Sequence, residues 1–71
     1  MHTSYFIGGP LNKKKTVTKL GISYKIVYRD KQNVVHLYEQ YSINDQKDYV
    51  CYHYVGPAQK NSDNDWIPIP Q

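Results

Sequence analysis

The chain reads as a small all-β domain, an antiparallel meander or barrel-like sheet completed by oligomerisation. Three observations predict it. Residues 22–28 alternate, with Ile22, Tyr24, Ile26 and Tyr28 on one face and Ser23, Lys25, Val27 and then Arg29 on the other, which is the period-two pattern of a half-buried strand. Eight tyrosines stand beside only 16 Leu, Ile, Val and Phe residues in 71, so aromatic rings that favour strands must supply much of the core. No amphipathic helix of ordinary length is available as a second layer, so a sheet with tyrosines on both faces needs another sheet, from a barrel or a second subunit. A core of this size seldom supplies more than ~3–5 kcal/mol, and chains below about 70–80 residues usually add disulfides, a metal or a partner. With one cysteine, a homo-oligomer is the expected solution.

The elements follow in order within one domain, 1–71. Tyr5-Phe6-Ile7 is a short strand stopped by Gly8-Gly9-Pro10, two permissive residues and one without an N–H. From Thr16 the chain favours β structure, and 22–28 is its clearest strand. Asp30-Lys31-Gln32-Asn33 is a polar turn of hairpin length leading into 34–41,. Val34, Leu37, Tyr38 and Tyr41 also fit one helical face, but two adjacent β-branched residues and the absence of an N-cap favour a strand. Residues 42–48 read as a polar loop, and 49–55 as a third strand ended by Gly56-Pro57. Residues 58–65 form a polar loop, and 66–71 an extended tail whose two prolines exclude a helix. Trp66, Ile67 and Ile69 are the tail residues expected to cover an open edge or a neighbouring subunit.

Nine basic and six acidic residues give a net charge of +3, a field that mildly favours anions. A single arginine argues against a dedicated reader of duplex DNA. No apolar run approaches the ~18 residues of a membrane span, the N-terminus lacks a secretion-signal pattern, and the lone thiol fits a reducing cytoplasm.

Candidate binding residues gather in two sets. Gly8 and Gly9 followed by Lys13, Lys14 and Lys15 form a loop able to cradle phosphate oxygens, although the Walker spacing is absent. Tyr24, Tyr28, Tyr38 and Tyr52, on expected strands, offer faces on which a base can stack, and Arg29 offers a planar fork for phosphate. Each has a plainer reading, as a tight turn, core bulk or a surface ion pair. Cys51 and His53 share a strand face that His36 could approach, but no fourth ligand or metal spacing appears. No cofactor or catalytic residue is indicated, because no paired carboxylates, oxyanion hole or activated nucleophile can be placed.

Ile7-Gly8-Gly9-Pro10-Leu11 after an aromatic pair, followed by tyrosine-rich strands and a Gly-Pro close, resembles a set of short phage proteins that open with the same turn. Here Asn12-Lys13 replaces the Asp-Gly that often follows it in that set. The resemblance implies a virus-encoded accessory protein of the host cytoplasm that acts against host defence. Taken with the lysines and tyrosines, it points to a non-enzymatic sponge for cyclic dinucleotide immune signals of the kind used by CBASS. A protein-binding inhibitor or structural phage component, and a single-stranded nucleic-acid binder, are the alternatives.

Overall fold

A computed structural model of the chain describes residues 2–18, 24–44 and 48–70. They form β1 (His2–Ile7), a 3-10 turn (Gly9–Leu11), β2 (Lys15–Thr18), β3 (Lys25–Arg29), β4 (Val35–Asn44), β5 (Tyr49–Lys60) and β6 (Trp66–Pro68). The strands lie in the order β2-β1-β5-β4-β3, with β6 paired to β5. The all-β expectation holds, and of residues 34–41 all but Val34 belong to strand β4 rather than a helix. The expected strand at 22–28 is found from Lys25 to Arg29, Tyr24 before it forms a bend, and Ile22 and Ser23 lie outside the described residues.

The sheet departs from a purely antiparallel meander at one place, since β1 pairs with β5 in parallel, Tyr5 opposite Cys51 and Ile7 opposite His53. The other pairs along that order, β1–β2, β3–β4 and β4–β5, are antiparallel. The two loops expected at 42–48 and 58–65 are shorter than the composition indicated. β4 continues to Asn44 and β5 to Lys60. Gly56-Pro57 does not end β5, because the register against β4 skips Val55 and Gly56 takes φ 147° at that irregularity, as a bulge permits. The Pro57 carbonyl then accepts the Ile69 N–H at 2.9 Å. Asn61 closes the β5–β6 turn, its Oδ1 accepting the Asp63 and Asp65 N–H groups, and Pro68, the one proline of β6, sits on an edge where a missing donor costs little,.

Two small cores occupy opposite faces of the sheet, because adjacent residues of a strand point to opposite sides. Tyr38 joins Phe6, Val50 and Tyr52, with Leu11, Ile26 and Tyr54 packed around them. Its neighbour Leu37 joins Val35 and Ala58 under Val55 and Trp66. The covers are therefore the 8–11 turn on one side and the β5–β6 hairpin on the other, where a second sheet was expected. Trp66, expected at a subunit boundary, packs on its own chain with the Lys60 ammonium over its ring. Ile67 is half-buried and Ile69 exposed.

Ser4 is buried with no hydrogen-bond partner for its hydroxyl. An unsatisfied buried hydroxyl costs about 1–3 kcal/mol, so Ser4→Ala should raise the melting temperature. A lower melting temperature in a thermal melt would show that the hydroxyl is in fact satisfied.

Candidate functional site

The 8–14 turn is built around one hydroxyl. Tyr38 Oη donates to the Gly8 carbonyl at 2.8 Å and accepts the Leu11 N–H at 2.9 Å. Burial pushes the Tyr38 phenol pKa up, against a smaller opposing effect of the Leu11 N–H, so the group stays protonated and able to donate. Gly8 and Gly9 have φ 85° and 63°, and a Cβ on Gly9 would lie 2.5 Å from Tyr54 Cδ1. These glycines let the turn press onto Tyr38 and Tyr54. Their requirement is met by packing within the chain, which is the plainer of the two readings above.

Beyond the turn, the Lys13 and Lys14 N–H groups donate to the Phe6 and Leu11 carbonyls at 2.9 Å each. This anchors both lysines at the rim of a cleft of about 500 Å3 lined by Tyr5, Phe6, Ile7, Asn12, Lys13, Lys14, Tyr49 and Cys51. Its volume falls within the range of small-molecule sites. Tyr5 and Tyr49 meet edge to face, centroids 5.5 Å apart at 88°, and the β1–β5 register puts Tyr5, Ile7, Tyr49 and Cys51 on one face,. Aromatic and aliphatic surface thus adjoins two lysines. That arrangement can hold a flat ring with an attached anion.

Of the residues expected to bind ligand, Lys13 and Lys14 line this cleft, while Lys15 is exposed at the start of β2 and does not. Tyr38 and Tyr52 are 0% and 1% exposed, so their rings are core and not stacking surfaces. Tyr28 and Arg29 lie on β3, three strands from β1, about 14 Å at normal strand spacing. Tyr28 stacks on His36 at 6.2 Å, and Arg29 donates to Asn33 Oδ1 at 2.7 Å. Tyr24 is exposed just before β3. Tyr5 and Ile7 were not singled out for binding, because only the parallel pairing of β1 with β5 brings them beside Tyr49 and Cys51.

His36 does not approach Cys51 and His53. It lies on the Tyr38 side, opposite Pro57, while His53 is opposite Glu39 on the other face,. Its Nε2 is 2.8 Å from Asp30 Oδ2 and its Nδ1 2.8 Å from Tyr54 Oη. The His36 hydrogen bond, helped by the Val34 and Gln32 N–H groups, holds the Asp30 carboxyl below the usual carboxylate range. In the neutral ring Asp30 fixes the proton on Nε2, leaving Nδ1 to accept the Tyr54 hydroxyl. The chain Asp30–His36–Tyr54 ties the β3–β4 turn to the ring beneath Gly9.

No helix among the described residues is long and apolar enough to cross a membrane. No family model matches the chain, and no curated protein or solved structure matches it.

Proposed function

We propose that this chain is a non-enzymatic binding protein that sequesters a small nucleotide, in the first instance a cyclic dinucleotide immune signal, in the cleft beside Lys13 and Lys14. The observation that carries the reading is the meeting of those lysines with the Tyr5–Tyr49 surface in one cleft. Ammonium groups there would face phosphate and the apolar wall would face a base. The resemblance to short phage proteins supports the setting, a virus-encoded protein acting in the host cytoplasm.

Backbone geometry adds weight to Lys13. It sits at φ 66°, a left-handed conformation that glycine adopts freely and that costs other residues about 1–2 kcal/mol. Glycine often stands there in the phage set. A lysine kept at such a position is consistent with a role for its side chain.

Lys13→Gly combined with Lys14→Ala provides the test. The variant should keep or gain stability, through the relaxed backbone at residue 13, while losing affinity for cyclic di-GMP or cyclic di-AMP by about thirty-fold, as expected when charge-assisted hydrogen bonds are removed. Titration calorimetry gives the affinity, and protection of Cys51 from alkylation locates the ligand. If neither compound binds the parent chain, or the variant binds as tightly, the reading fails.

A specific observation favours a second reading. Tyr5, Ile7, Val17 and Tyr41 are all exposed, and the pairings Thr3–Val17, Thr3–Tyr49 and Tyr5–Cys51 put three of them on the cleft face. Such a patch suits a protein partner, either a host factor or a second copy of the chain. Binding to single-stranded DNA would instead fall steeply as salt rises.

A further inference from the structure

The Asn12 amide at the proposed cleft is held in one orientation. This inference rests on the nucleotide reading above and concerns which base the site accepts. Asn12 lines the cleft, and the Gly8 N–H donates to its Oδ1 at 2.7 Å. Because an N–H can bond only the oxygen end of a carboxamide, the orientation of the Asn12 amide is fixed, and Nδ2 with its two hydrogens is the end left for a ligand. Lys13 and Lys14 are donors only. None of the described residues lining the cleft is Asp or Glu. The Tyr5 and Tyr49 hydroxyls can serve either way, so the fixed polar groups favour acceptors.

The purines differ in this respect. On the edge carrying N7, guanine shows two acceptors, N7 and O6, whereas adenine shows the N7 acceptor beside the N6 amino donor. An amino group turned toward Asn12 Nδ2 would meet a donor with no acceptor, and an unpaired polar group in a contact weakens it. We infer that Asn12 is a specificity residue of this cleft and that the site takes guanine nucleotides in preference to adenine nucleotides, reading the N7/O6 edge.

The experiment compares cyclic di-GMP, cyclic di-IMP and cyclic di-AMP by titration calorimetry at one salt concentration, on the full chain and on Asn12→Asp. Inosine keeps N7 and O6 but lacks the guanine 2-amino group, so the guanine and inosine compounds should bind within a few-fold of each other. Both should bind about ten-fold or more tightly than the adenine compound. Asn12→Asp keeps an oxygen for the Gly8 N–H and replaces the donor end with an acceptor. It should bring the guanine-to-adenine ratio to unity or below, with the melting temperature nearly unchanged. Equal or tighter binding of cyclic di-AMP to the parent chain overturns the inference while leaving the nucleotide reading in place. A guanine preference not shared by inosine, or a ratio unaltered in Asn12→Asp, removes Asn12 from the role. Failure of all three compounds to bind overturns the nucleotide reading itself.

Discussion

Gly9→Ala should leave the chain largely unfolded near room temperature. The substitution places a Cβ 2.5 Å from Tyr54 Cδ1 and 2.7 Å from Tyr38 Oη, at a residue whose φ is 63°. Both rings belong to or pack against the larger of the two cores, and Tyr54 is further held by its hydroxyl bond to His36. Neither ring is free to withdraw. Left-handed strain and overpacking together cost about 3 kcal/mol, close to the whole stability expected of a chain this short. Circular dichroism across a thermal melt reads the effect directly. A midpoint within a few degrees of the parent would mean that the turn can lift from the sheet, and the account of the two glycines given above would be wrong.

Tyr38→Phe should be the second most damaging small change, although it removes a single oxygen. That oxygen serves the Gly8 carbonyl and the Leu11 N–H together, and the phenylalanine leaves both backbone groups without their partner. The expected loss is about 1–3 kcal/mol, with faster amide exchange at Leu11 as the local signature. Tyr41→Phe is the control. Tyr41 is 68% exposed, and loss of its hydroxyl should change stability by less than about 0.5 kcal/mol. Equal effects for the two substitutions would show that the Tyr38 hydroxyl does not hold the turn.

Several local features were legible from residue types. Asp30 Oδ1 accepts the Gln32 and Val34 N–H groups, which is how a short carboxylate side chain initiates a turn, and the hairpin expected at 30–33 forms there. The alternation in β3 appears as half-buried Ile26 and Tyr28 between exposed Lys25, Val27 and Arg29. The glycine-proline stop after Ile7 also forms as read.

What the sequence concealed was the sorting of the tyrosines. Tyr38 and Tyr41 carry the same side chain three residues apart, yet one is fully buried and the other projects into solvent. The reason is an irregularity that skips Tyr41 in the register with β5, and no local composition announces it. The cleft was hidden for a related cause. Lys13 and Lys14 were visible as a basic loop, but their aromatic neighbour Tyr49 arrives from a strand more than thirty residues away, through a long-range parallel pairing that no local pattern announces,.

That parallel pairing also fixes the order in which the sheet can form. Until β5 is available, β1 can pair only with β2, in the four-residue register from His2 to Tyr5, and an isolated two-stranded ribbon is marginal in water. β5 holds β1 on one part of its length, β4 along most of it and β6 at its end, so it is the strand on which the others depend. A nascent chain leaving the ribosome has emitted its first strand long before that strand's central neighbour exists. Until then the N-terminal segment, with the glycine turn and the lysines, has only the β1–β2 ribbon to hold it,. The cleft comes into being only when the sheet closes around β5, and loop closure over so many residues makes that a slow, late event in folding.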